Sequence, residues 1–255
     1  MTHRENQRIK AVLFDMDDTL IDWSGMQVDL AAVETRHLQN VHNFLTDAGH
    51  TLPPFTRFWN QFRSQLIHAW TEAKKDWSGV SFVTVMQDFL LTCGVEKTQI
   101  SLDDVLHAYD WSIIPGVEPF ADTLPVLGKL KNDGYKIGLI TNAMQPMWMR
   151  DIELRAYGIL NFLDARLTSG DVGFMKPHPF IYWRALELLD VQPEESVFVG
   201  DRPANDIAGA NEAGLTSVLM SPPHLDRELG SIRPNYTITS LTELLPILAQ
   251  LEGDL

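Results

Sequence analysis

The stretch Lys10-Ala-Val-Leu-Phe-Asp-Met-Asp-Asp-Thr-Leu20 constrains this chain more than any other. Val12, Leu13 and Phe14 form a continuous apolar run, the composition of a strand buried on both faces of a parallel sheet. The run stops at three carboxylates within four residues, Asp15, Asp17 and Asp18. Alternation along an extended chain sends Asp15 and Asp17 to the same side. In open α/β sheets, ligand sites lie beyond the carboxyl ends of strands. Like charges held this close are costly unless a cation or a proton is shared between them. A solvated acidic turn accounts for Asp18, but not for a buried strand that ends in an acidic pair.

After Leu20 the texture is helical for about ninety residues. Leu30, Val33, His37, Val41, Phe44 and Ala48 recur at three- and four-residue spacing, with Gly49 as a C-terminal stop. Phe55, Phe58, Phe62, Leu66, Ala69 and Ala73 mark a second helix after Pro53-Pro54. Phe82 to Leu90 makes a third, and Ser101 with Asp104 caps a fourth. No strand-like alternation interrupts this block, so it is an inserted helical domain. Its tryptophans, Trp23, Trp59, Trp70, Trp77 and Trp111, fit core packing of a small bundle; the alternative is that one or two of them, Trp23 especially, face the crevice and contact substrate. His37, His42, His50 and His68 show no metal-ligand spacing.

From Ile114-Pro-Gly116 the texture returns to alternation. Strands are expected at Tyr135–Ile140, Asp164–Ser169, Ser196–Val199 and Thr216–Met220, with helices between them and an amphipathic stretch at Leu241–Leu251. Pro125 must lie in the first turn of its helix or kink it, while Pro146 and Gly158 suit the two ends of the next one. Strands alternating with helices imply right-handed crossovers and a doubly wound, mostly parallel sheet. The expected division is a core of residues 1–21 and 115–255 and a helical insert of residues 22–114.

Four sites then stand at strand ends or just before helices: Asp15 with Asp17, Thr141-Asn142, Lys176, and Asp201 with Asp206. Each taken alone is an ordinary cap or a solvated charge. Collected by one sheet, they match phosphoryl transfer to a carboxylate. Asp15 would be the nucleophile and form an aspartyl-phosphate. Its approach to a phosphate needs positive charge, which Mg²⁺ held by hard oxygen ligands supplies. Asp15 and Asp201 would bind the ion directly with the backbone carbonyl of Asp17, and Asp206 would hold a water on the ion or a neighbouring ligand. The Thr141 hydroxyl and N–H groups near Asn142 would grip phosphate oxygens. Lys176 would neutralise charge, and Asp17 would be the general acid and then base.

Asp15-Met-Asp-Asp-Thr19, Thr141-Asn142, Lys176-Pro177 and Gly200-Asp-Arg-Pro-Ala-Asn-Asp206 resemble, in order, the four motifs of the haloacid dehalogenase superfamily. The helical insert is similar to that family's α-helical cap, and Ile114-Pro-Gly-Val117 to its re-entry into the core. The resemblance implies a Rossmann-like sheet with strand order 5-4-1-2-3, a cap that closes over the crevice, and a supporting role for Thr19. Asp at position 17 points to phosphate-ester chemistry rather than dehalogenation. The expected activity is hydrolysis of a small phosphorylated metabolite such as a sugar phosphate, a phosphoglycolate-like acid or a nucleoside monophosphate. A phosphomutase would use the same residues. A phospho-signalling receiver also combines acids, a Thr or Ser and a Lys, but lacks a long helical insert.

Charge and composition set the remaining expectations. A net charge of −14 argues against a nucleic-acid partner. Cys93 is the single cysteine, which rules out an internal disulfide and a cysteine zinc cluster. The N-terminus is polar and unlike a secretory signal, and no stretch approaches the ~18 apolar residues of a membrane span. A cytoplasmic monomer or homodimer is expected.

Overall fold

The computed structural model describes residues 8–225 and 227–253. The polar run of residues 1–7, on which the expectation of no secretory signal rests, lies outside the described residues. In chain order, β1 (Ala11–Phe14) is followed by the two-residue strand β2 (Ile21–Asp22). Four helices come next, α1 (Leu30–Asp47), α2 (Phe55–Ala73), α3 (Phe82–Thr92) and α4 (Leu102–Ala108), then the short strand β3 (Glu118–Pro119). The remainder alternates through α5 (Thr123–Asn132), β4 (Lys136–Thr141), α6 (Met147–Ala156), β5 (Ala165–Thr168), the single turn α7 (Ser169–Val172) and α8 (Pro179–Leu189). It ends with β6 (Ser196–Gly200), α9 (Ala208–Ala213), β7 (Thr216–Met220), β8 (Tyr236–Ile238) and α10 (Leu244–Glu252).

The main sheet is parallel throughout, in the order β5-β4-β1-β6-β7-β8. Counting only the five strands expected from the sequence, this is 5-4-1-2-3 read from one edge. The difference is a sixth strand, β8, added beyond β7. Three residues at a sheet edge are too few to show a period, which is why β8 escaped the sequence pattern. The strands β2 and β3 pair antiparallel and form a separate ribbon where the chain leaves and re-enters the α/β layer.

Period-two alternation in β1 explains the doubly wound layers. Val12 and Phe14 pack on one face with Val126, Leu127 and Leu130 of α5, Leu154 of α6 and Leu244 and Leu248 of α10. Ala11 and Leu13 pack on the other with Ile181, Tyr182 and Leu186 of α8 and Ala210 and Ala213 of α9. Every residue of β1 is buried, so the strand has no solvated face and its apolar run is continuous.

Helices α1 to α4 bury a third cluster, in which Phe58 and Phe62 meet Phe89 edge-on with ring centroids 4.6 and 5.2 Å apart. Asp29 and Ser81 cap α1 and α3 by accepting from Ala31 N and Thr84 N. His37 is buried within this bundle against the Tyr109 carbonyl and ring. The cluster also takes in Met149 of α6, which is fully buried. Backbone bonds fasten the same side: Gly79 N to Gly173 O, Met175 N to Trp77 O and Phe82 N to Met144 O, all 2.8–2.9 Å. Among the described residues, no helix is long and apolar enough to cross a membrane.

Candidate active site

Parallel register brings the strand ends together. Phe14 pairs with Leu139 on one side and Val199 on the other, so Asp15 emerges between the end of β4 and the end of β6. Its backbone N–H still donates to Val199 O at 2.9 Å, which fixes the first residue beyond the strand. The cleft above is lined by Asp15, Asp17, Thr141, Asn142, Lys176, Arg202, Asn205 and Asp206. Every site residue read from the sequence is in that lining except Asp201, which is wholly buried beside it.

Lys176 is buried to 2 % exposure and is the hub of the acidic cluster. Its ammonium lies 2.6 Å from Asp15 Oδ1 and 2.7 Å from Asp206 Oδ1. Burial works against its charge, but Asp15 and Asp206 outweigh burial and hold its pKa above the ordinary lysine value. Its backbone is clamped by Asn142, whose amide donates to Lys176 O and accepts from Lys176 N, both at 2.8 Å. The Asn205 amide donates a second bond to the same carbonyl at 3.0 Å. The Asn142 side chain is thus engaged in placing the lysine. Thr141 is buried at the strand end and is one of the residues lining the cleft.

Asp206 lies in the π-helical turn Pro203–Ile207 that precedes α9, where an ordinary helix start was expected. Its Oδ2 accepts from Arg202 N at 2.8 Å. Gly200 has no room for a side chain, because a Cβ there would come 2.5 Å from Asp206.

Asp15, Asp201 and Asp206 can each place a carboxylate oxygen within 4.8 Å of the others, and all three are buried. Burial pushes the Asp15 carboxyl well above the usual range; Lys176 opposes this, while Asp206, Asp201 and Asp17 add to it. Burial likewise lifts Asp201 to about 6, reinforced by Asp206 and opposed by Arg227 and Arg202. Asp201 Oδ1 is buried and has no hydrogen-bond partner among the described residues. An all-oxygen, over-acidic donor set with an orphaned buried oxygen fits a hard divalent cation.

The Asp17 carboxylate does not join this trio. Arg150 donates to its Oδ1 and Oδ2 at 2.9 and 3.1 Å, and the Trp23 indole to Oδ1 at 3.0 Å. Core packing, the main expectation for the tryptophans, does not describe Trp23, whose indole bonds to the acidic motif. Arg150 and its partner Glu153 carry no sequence signal, since Met-Arg-Asp-Ile-Glu reads as a solvated helix face. Arg227 was likewise invisible: it reaches Asp201 Oδ2 at 2.5 Å and Asp18 Oδ2 at 3.1 Å from a loop beyond β7. Thr19 is fully buried, and its hydroxyl has no hydrogen-bond partner among the described residues.

Sequence comparison decides the family. The pattern of haloacid dehalogenase-like hydrolases matches residues 9–214. The chain belongs to the haloacid dehalogenase-like hydrolases. It is therefore an enzyme, and its curated relatives carry phosphatase names. It is 30% identical to glyceraldehyde 3-phosphate phosphatase of Methanopyrus kandleri, over 96% of this chain and 100% of that one. It is 33% identical to pyrophosphatase PpaX of Bacillus cereus, over 96% and 98%. A haloacid dehalogenase-like phosphatase from Thermococcus onnurineus superposes with a TM-score of 0.60 at 25% identity, over 94% of this chain and 98% of that one. The 2-haloacid dehalogenase of Pseudomonas syringae pv. Tomato, at 24% identity and a TM-score of 0.62 over 95% and 99%, shares the fold.

Proposed function

We propose that this hydrolase is a Mg²⁺-dependent phosphatase that cleaves a small phosphorylated metabolite through an aspartyl-phosphate on Asp15. The observation that carries the reading is the convergence of Asp15, Asp201 and Asp206 on one point, with Lys176 between Asp15 and Asp206. The relatives' names, for a triose phosphate phosphatase and a pyrophosphatase, support a compact phosphorylated substrate.

Asp15 and Asp201, with the Asp17 carbonyl and Asp206, would hold the ion, which supplies the positive charge that lets a carboxylate meet a phosphate. Thr141 and backbone N–H groups near Asn142 receive the phosphoryl oxygens at the end of β4. An Asp15 oxygen forms a bond to phosphorus as the bond from phosphorus to the substrate oxygen breaks. Asp17 delivers its proton to that leaving oxygen. It then takes a proton from water, whose oxygen attacks phosphorus and releases phosphate from Asp15. Lys176 keeps Asp15 oriented and offsets the gathering negative charge.

Residues 1–21 and 115–255 are proposed as the catalytic core, and residues 22–114 as a cap that excludes bulk water. An apolar cluster formed mainly by the bundle, with Met149 as its one fully buried residue from the proposed core, and the β2–β3 ribbon at the two crossings support that division. The test is phosphate release from a panel of phosphorylated metabolites, led by glyceraldehyde 3-phosphate and pyrophosphate, with Mg²⁺ and after chelation. Turnover that requires Mg²⁺, with acid-quenched label at Asp15, is the expected result. Full turnover after exhaustive chelation, or label elsewhere, would refute it.

A further inference from the structure

Arg150 sits on α6, nine residues beyond Thr141, with its side chain 5 % exposed. A guanidinium this deeply buried needs ionic or hydrogen-bond partners, and Arg150 finds them through its two terminal nitrogens, while its Nε has none among the described residues. Its NH2 donates to both oxygens of Asp17 and to Met16 Sδ at 3.0 Å, and its NH1 lies 2.9 Å from Glu153 Oε2. Glu153 is itself 2 % exposed. The guanidinium is therefore fixed from behind by its own helix, and its free edge points at one carboxylate of the acidic motif.

Asp17 needs such a partner. Its side chain is 30 % exposed and lines the cleft, and among the described residues only Arg150 and Trp23 donate hydrogen bonds to its carboxylate. Proton transfer demands that the carboxyl sit within hydrogen-bond reach of the leaving oxygen, and a misplacement of about 1 Å can cost about 10²-fold in rate. Burial alone does not explain the pair. Buried ion pairs are poor stabilisers and are often replaceable by apolar groups, whereas a single guanidinium nitrogen reaching both Asp17 oxygens, with the other terminal nitrogen anchored at Glu153, restrains where that carboxylate sits.

We propose that Arg150, braced by Glu153, is the positioning residue that holds Asp17 in register for proton transfer and couples it to the helix following the phosphate-binding strand end. The proposal rests on the reading of Asp17 as general acid and base. Arg150 is not among the residues that line the cleft; it acts through Asp17.

Matched substrates give the test. Phenyl phosphate and 4-nitrophenyl phosphate have similar shapes, but phenolate is the more basic leaving group and depends more on a proton donor. Arg150→Met is expected to lower kcat for phenyl phosphate about 10²-fold and for 4-nitrophenyl phosphate only several-fold, with KM little changed for either. Arg150→Lys should recover part of the phenyl phosphate rate. Asp17→Asn/Arg150→Met should be no slower than Asp17→Asn alone, since both changes remove one function. Equal losses on both substrates without recovery by lysine, or fully multiplicative losses in the double variant, would overturn the role of Arg150. Asp17→Asn measured alongside separates the two readings. If it discriminates between the substrates and Arg150→Met does not, only the role of Arg150 falls. If it loses both equally, the acid–base reading of Asp17 falls as well. Because Arg150→Met strands the Glu153 carboxylate, Arg150→Met/Glu153→Met is run beside it. Removing both charges at similar volume keeps the core apolar, and the same discrimination is expected.

Discussion

Asp15 and Asp17 stand two residues apart and meet opposite surroundings, and that contrast fixes what each can do. Asp15 is buried beside Lys176 and two other carboxylates, whereas Asp17 reaches the cleft and is held by an arginine and an indole. Asp15→Asn should abolish turnover and leave no phosphoenzyme, because an amide is a poor nucleophile. Asp17→Asn should slow an alkyl phosphate by about 10²–10⁴-fold, the usual worth of general acid–base help, yet still phosphorylate Asp15 from an aryl phosphate with an acidic leaving group. Its aspartyl-phosphate should then persist, since water lacks its base. Rapid-quench labelling with peptide mapping checks both variants, and label at position 17 in the wild type would reverse the assignment. The carboxylates were legible in the sequence because strand ends collect them within short motifs. Arg150 and Arg227 were not, because they meet Asp17 and Asp18 across 133 and 209 residues of chain, and local pattern carries no trace of such contacts.

Among the elements, the two crossings between the helical bundle and the α/β layer pack backbone closely against backbone. Gly25 and Gly116 lie back to back: a Cβ on Gly116 would come 2.0 Å from Gly25 O, and its φ of +84° already disfavours one. Gly49, at the end of α1, has a similar φ of +91° but nothing within 4 Å of a Cβ. Gly49→Ala should therefore lose only the conformational part, about 1–2 kcal/mol, while Gly116→Ala should lose clearly more and disturb the crossing. Urea unfolding of both variants measures the difference, and equal losses would show that the close approach is soft. These elements also mark where sequence patterning works. Helices α1 to α4 followed from long apolar stripes with caps and glycine stops, and Pro125 falls in the first turn of α5, where it does no harm. The ribbon strands β2 and β3 have two residues each, too short for any period. The π-helical turn before α9 has no separate signal in the sequence, because Pro203-Ala-Asn-Asp206 equally suits the start of an ordinary helix.

At the scale of the whole molecule, the acidic cluster is a local excess of negative charge inside a chain that already carries −14. Asp15, Asp201 and Asp206 are buried together, with the carboxyls of Asp15 and Asp201 pushed up mainly by burial. Folding must gather these groups against their mutual repulsion, so a bound divalent cation should stabilise the native state, not merely switch on chemistry. An ion that binds only the folded chain contributes RT ln(1 + [L]/Kd), about 2.7 kcal/mol at one hundred times Kd. For a chain of this size each kcal/mol moves Tm by roughly 2–4 °C, so saturating Mg²⁺ should raise Tm by about 5–10 °C over a chelated sample. General screening of the net charge would also raise Tm, and sodium chloride at matched ionic strength measures that part. Asp201→Asn removes a donor whose Oδ1 has no hydrogen-bond partner among the described residues, and should erase most of the Mg²⁺-specific shift. Its Arg227 contact retains an acceptor oxygen, which limits the damage to the fold. A Tm that is the same in chelator and in Mg²⁺, or a shift that survives Asp201→Asn undiminished, would place the ion outside this cluster and remove the physical basis for an ion-assisted attack by Asp15.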